Sequence, residues 1–177
     1  MQTLTSSLQE VLDVPFVRRT RRNHGLEHAT IHMMQRSIPD LRVIGRSDAN
    51  GFWLWGDLPT DKVEQAAHAA LRRMRGGEHK LALHPNCGTN IVTTATLGAG
   101  AVLLALVGSE REKGGRLSRL PLIVTGLMLA IVAGQPLGMQ LQEHVTTLGD
   151  PGDLEIVSVE RINRAGIISH RITTRST

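Results

Sequence analysis

Three histidines and a glutamate crowd the nine residues "HGLEHATIH", His24 to His32. On a helix each residue advances by about 100°, so with His24 at zero, His28 falls near 40°, His32 near 80° and Glu27 near 300°. His24, His28 and Glu27 then share one arc, with His32 at its edge. Two imidazoles one turn apart can reach a single divalent ion, and a carboxylate beside them can take a proton from water. That chemistry makes His24 and His28 candidate metal ligands and Glu27 a candidate general base. The alternative reading is a solvated helix face rich in His and Glu, flanked by Arg21, Arg22 and Asn23. Both readings stay open at the level of sequence.

A second group of donors follows in "HPNCGTN", residues 84–90. His84 and Cys87 are three apart across a Pro-Asn turn, and thiolate and imidazole both suit zinc. Asn86, Thr89 and Asn90 also suit the start of a helix. Further on, "QLQEHVTT" offers Glu143 and His144. Glu143 is the first choice for a third, carboxylate ligand, followed by Cys87 and His144, with His32 and His84 as further candidates. The cofactor implied is zinc or another divalent metal.

These donors must be held by the surrounding elements. The spacing predicts a helix over 17–36, closed by Pro39, with Leu26, Thr30 and Met33 turned away from the histidines. Residues 41–56, "LRVIGRSDANGFWLWG", read as two strands about a polar turn at Ser47–Gly51. Residues 58–78 read as a helix capped by Thr60 or Asp61, with Val63, Ala67, Ala70, Leu71 and Met74 as its apolar stripe and Gly76-Gly77 as its stop. "HKLALH" (79–84) reads as a third strand. Residues 152–174 read as two alternating strands about a turn at Asn163–Gly166.

The composition changes sharply at residue 91. "IVTTATLGAGAVLLALVG" (91–108) and "LPLIVTGLMLAIVAGQPLGMQL" (120–141) carry no charge. At about 1.5 Å per residue each reaches roughly 27–33 Å, the thickness of a bilayer core. The short charged segment 109–119 between them makes a hairpin that crosses a membrane twice and returns the chain to the side it left. Gly98 and Gly100 in the first run, and Gly126, Gly134 and Gly138 in the second, are small enough for close helix contact. Pro136 is expected to kink the second run. The expected fold class is α+β: a helix-and-sheet unit interrupted by an inserted transmembrane helical hairpin. The expected divisions are an N-terminal tail at 1–16, a soluble α+β segment at 17–90, the hairpin at 91–142, and a second soluble segment at 143–177 that completes the sheet. The hairpin is expected between the third and fourth strands.

Composition narrows the function classes. The 177 residues carry a net charge of +4, which would suit phosphate, yet the aromatic residues are only Phe16, Phe52, Trp53 and Trp55. A single-strand nucleic-acid binder needs a row of stacking rings, so no nucleic-acid partner is expected. One cysteine excludes an intrachain disulfide. The N-terminus lacks the basic start and apolar core of a signal peptide. Arg72, Arg73, Arg75 and Lys80 lie ahead of the first run and point to a cytoplasmic soluble unit, while Arg111, Lys113, Arg116 and Arg119 in the loop pull the other way. The "RRTRR" run admits a phosphate- or headgroup-binding reading on charge alone.

Two resemblances attach to these residues. The string H-x-x-E-H, His24 to His28, resembles the inverted zinc-peptidase motif of the inverzincins, such as the insulinase-like peptidases. It implies His24 and His28 as ligands and Glu27 as general base. Those enzymes take a third glutamate ligand far downstream, and at the corresponding distance this chain has only its first uncharged run. The combination "RRNHGLEHATIHMM", "ANGFWLWG", "LALHPNCGTN", an apolar hairpin and "LEIVSV" resembles a family of small bacterial membrane proteins known as a domain of unknown function. That resemblance spans roughly residues 17–174 and implies a membrane location and the split layout. The expected reading is a two-span protein of the bacterial inner (plasma) membrane, with the lipid bilayer as partner and a zinc-dependent hydrolase site in its soluble unit. The rival is a non-catalytic interaction or assembly module, partnered by a second copy or another membrane protein, with Trp53 and Trp55 as surface anchors.

Overall fold

The structure is a computed structural model that describes residues 2–108 and 115–177. The chain divides into two units: one formed by the residues up to Leu83 together with Glu143–Thr177, the other by His84–Gln142.

In the first unit, helix α1 (Gln2–Leu12) occupies the stretch that reads from sequence as a tail, and α2 (Pro15–Gln35) follows with proline at its start, where a missing amide costs nothing. Strands β1 (Ile44–Asp48) and β2 (Gly51–Trp55) form a hairpin, closed by Asp48 Oδ1 accepting from Asn50 N at 2.8 Å. Helix α3 (Thr60–Arg75) comes next. Strands β3 (Glu155–Arg164) and β4 (Ile167–Arg175) complete an antiparallel sheet of order β1-β2-β4-β3. The two halves of the unit therefore meet along β2 and β4.

The sheet alternates as a half-covered sheet must. Phe52 and Leu54 of β2 and Ile172 of β4 point into the core, where they meet Leu26, Ala29 and Met34 of α2 and Val63, Ala66, Ala70 and Met74 of α3. Full burial of each large side chain is worth about 1.5–3 kcal/mol. The buried face of α3 contains every residue of the stripe its periodicity predicts and adds Ala66. Its start differs: Pro59 stands at the N-cap without a side-chain cap bond, and the Thr60 hydroxyl pairs with His170 Nε2 at 3.1 Å.

Residues 79–84 are not a strand. His79–Ala82 form a 3-10 turn, with Leu81 N donating to Glu78 O and Leu83 N to Lys80 O, both at 3.1 Å. Their alternation suits a ladder, but the carbonyls of Ala82 and Leu83 are taken by imidazoles of α2 instead. The inserted hairpin consequently lies between the second and third strands, not the third and fourth.

The second unit is a pair of helices, α4 (Gly88–Leu106) and α5 (Leu120–Leu141), both long and apolar enough to cross a membrane. Gly126 packs on Ala101, Gly134 on Thr94 and Gly138 on Asn90. The contacts move back along α4 as they advance along α5, so the helices are antiparallel. Gly98 sits at the same seam beside Leu127, whereas Gly100 faces open space. Leu104 is 76% exposed and Val132 73%, so the outer faces are apolar and uncovered by protein. α5 continues through Pro136 to Leu141. Residues 109–114 of the charged connection, with Glu110, Arg111, Glu112 and Lys113, lie outside the described residues.

Candidate metal centre

Helix α2 is not a wet helix. His28 is 2% exposed, Glu27 4% and Asn23 0%. The solvated-face reading fails because the helix is covered on both sides: the sheet takes Leu26 and Met34, and the 79–83 and 144–148 segments take the face that carries the histidines. Arg21, Arg22 and Asn23, which read as a solvated start, are buried fasteners. Arg22 pairs with Asp153 at 2.6 Å, Asn23 donates to Asp48 O at 2.8 Å, and Thr174 Oγ1 donates to Asn23 Oδ1 at 2.6 Å. The inner half of the "RRTRR" run is thereby spent on protein contacts.

Each histidine of α2 is oriented by a backbone carbonyl. His24 Nδ1 lies 2.9 Å from Thr146 O and His28 Nδ1 lies 2.7 Å from Ala82 O. A carbonyl oxygen only accepts, so both Nδ1 atoms carry the proton. In the neutral ring the lone pair then sits on Nε2. Metal-binding histidines are commonly fixed in this way, with the non-ligand nitrogen donating to a carbonyl. The two rings meet edge to face with centroids 4.4 Å apart and planes at 61°. One ring nitrogen of each lies within 4.8 Å of the other. His32 is held the other way round, through Nε2 at 2.8 Å from Leu83 O.

Glu27 turns toward β1. Its Oε2 accepts a short hydrogen bond from Ser47 Oγ, and its carboxylate occupies the space that a side chain at residue 45 would fill. Burial pushes its pKa up, partly offset by the Ser47 hydroxyl and the nearby His24. A raised proton affinity is a property that suits a carboxylate to exchange protons near neutral pH. Ser47 and Gly45 carry no signal in the sequence, because nothing local marks them as facing residue 27.

Glu143 and His144 are exposed on a π-helical turn, Gln142–Thr146. Glu143 borders a groove with His79, Lys80, Leu83 and Asp150. In the second unit, His84 Nδ1 accepts from Asn86 N at 3.2 Å, and Cys87 is buried at the N-cap of α4, its sulfur accepting from Thr89 N. Asn90 is not a cap. It donates to Pro85 O at 2.8 Å and Gln135 Oε1 at 3.1 Å and accepts from Gln142 Nε2 at 2.7 Å, while Gln142 Oε1 accepts from His84 N at 2.9 Å. This buried polar knot joins the two apolar helices. Gln142 escaped the sequence reading because an uncharged amide at a helix end carries no signature of its own.

The fold and site together define an α+β unit with a carbonyl-oriented histidine pair on a buried helix, interrupted by an apolar helical hairpin. The chain belongs to the family described as domain of unknown function DUF6391, whose model matches residues 19–159. It is also 30% identical over 165 residues to an uncharacterized protein of Picosynechococcus sp. (strain ATCC 27264 / PCC 7002 / PR-6), covering 88% of this chain and 78% of that one. No solved structure matches it.

Proposed function

We propose that this is a two-span membrane protein whose α+β unit holds a zinc ion on His24 and His28 and acts as a hydrolase close to the bilayer. The observation that carries this reading is the paired Nδ1–carbonyl bonding, which gives both rings the same ligand tautomer on one face of a buried helix. When bound, the ion supplies Lewis acidity that makes a water nucleophilic at neutral pH. Glu27 is the proton acceptor, supported by its burial beside His24 and its anchoring by Ser47. Membrane insertion is supported by the uncovered apolar faces of α4 and α5, and a cytoplasmic soluble unit by Arg72, Arg73, Arg75 and Lys80 ahead of α4.

The test uses the full chain. It should stay in the pellet through a carbonate wash and, once purified in detergent, carry about one zinc per chain by elemental analysis. His24→Ala and His28→Ala should each abolish stoichiometric metal, whereas Glu27→Gln should retain it. Zinc content unchanged in the double H24A/H28A protein would reject the site. A second reading, an interaction module, is favoured by the outer sheet face, where Trp53 and Trp55 stack with centroids 6.0 Å apart and Ile44 is 72% exposed. A metal-free wild type would favour that reading.

A further inference from the structure

Arg21, His24, Gly25 and His28 follow one another at helical spacing and share one side of α2. The sequence draws the eye to the histidines, but the other two do the holding. Arg21 is 7% exposed, and its guanidinium donates to His144 O at 3.1 Å and to Thr147 O at 3.2 Å. Its own carbonyl accepts from Leu148 N at 3.0 Å. One residue thus ties down three points of the 144–148 segment. Gly25 permits the approach: a Cβ there would lie 2.6 Å from Leu148 O and 3.1 Å from the Ala82 side chain. Between the points that Arg21 secures sits Thr146, whose carbonyl meets His24 Nδ1 at 2.9 Å.

We propose that Arg21 and Gly25 are positioning residues that set the tautomer of His24, by fastening the 144–148 backbone so that Thr146 O always receives the Nδ1 proton. A carbonyl held by two flanking bonds cannot rotate away from the ring. The imidazole then presents Nε2 as its ligand nitrogen without selecting between tautomers when a metal arrives. Losing such a supporting contact typically lowers metal affinity about 10- to 100-fold. The metal consequence rests on the zinc reading above; the tautomer itself does not.

The experiment is performed on the full chain in detergent micelles with 15N-labelled histidine, His24 being assigned by its loss in H24A. Long-range proton–nitrogen correlation reports which ring nitrogen is protonated. The wild type should show His24 as the Nδ1–H form. Arg21→Met, which keeps volume but loses every donor, should give a mixture or the Nε2–H form, as should Gly25→Ala. Arg21→Lys should restore some of the wild-type pattern. Tryptophan fluorescence of Trp53 and Trp55 confirms that the sheet is intact, and if R21M does not fold, G25A and R21K carry the measurement. In the same samples zinc affinity should fall about 10- to 100-fold in R21M and G25A. An unchanged Nδ1–H tautomer in folded R21M and G25A would overturn the proposal. A wild type without zinc affinity would remove the metal site alone, because the tautomer measurement needs no metal and still upholds or overturns the role of Arg21.

Discussion

Gly45→Ala is a one-carbon change with a consequence that can be worked from the structure. Gly45 lies in β1 opposite Leu54 of β2, and a Cβ built on it would sit 1.9 Å from Glu27 Oε1 and 2.5 Å from Glu27 Cδ. Ordinary contact begins at 3.4 Å, so the carboxylate must retreat by about 1.5 Å within a close-packed interior. That displacement breaks the Ser47 hydrogen bond, and a bond to a charged group is worth about 1.5–3 kcal/mol. Overpacking adds a cost of its own, typically about 1–3 kcal/mol. The combined loss should be about 3 kcal/mol, allowing for some relaxation of the strand. Denaturant unfolding in detergent, read by Trp53 and Trp55 on the adjacent strand, measures it directly. The decisive sample is the double variant Gly45→Ala/Glu27→Ala, which removes the obstructing carboxylate. If the clash is the cause, the two losses should fall short of additivity by at least about 1.5 kcal/mol. Additive losses would mean that Gly45 is required for some reason other than Glu27, and the placement of that carboxylate against β1 would be wrong.

Two further outcomes are expected. His170 is fully buried, with its pKa lowered by burial first and by Arg161 next, against a small opposing effect of Asp57. The unfolded chain therefore binds more protons than the fold as pH falls below about 6.5, so stability should be fully present above that value and decline below it. H170Q should flatten this slope in unfolding midpoints measured across the range, and an unchanged slope would assign it to another group. In the hairpin, a Cβ at Gly134 would lie 2.1 Å from Thr94 Oγ1 and 2.9 Å from Thr94 Cα, a backbone atom that cannot swing aside. Gly134→Val should loosen the helix pair by about 1–3 kcal/mol, read as faster thiol labelling of a buried A130C reporter in a C87S background. Equal labelling rates would place Gly134 off the seam.

What the chain determines by itself is what its local periods encode. The 100° step puts His24, His28 and Glu27 on one arc whatever surrounds them, alternation marks β1 to β4, and two uncharged runs declare α4 and α5 through length alone. The stripe Val63, Ala67, Ala70, Leu71, Met74 was legible for the same reason. Tertiary structure decided everything that depends on a partner distant in sequence. Whether α2 faced water or protein could not be read from its His and Glu content, because a buried polar side chain and a solvated one have the same spelling. Residues 79–84 alternate like a strand, yet they had no free ladder to join once His28 and His32 claimed the carbonyls of Ala82 and Leu83. The tautomers of His24 and His28, the pocket that Gly45 leaves for Glu27 and the grip of Arg21 on residues 144–147 all join residues on different elements, 18 or more positions apart in the chain. Hydrogen bonds and steric contacts act over a few ångströms in space, and sequence separation carries no record of them.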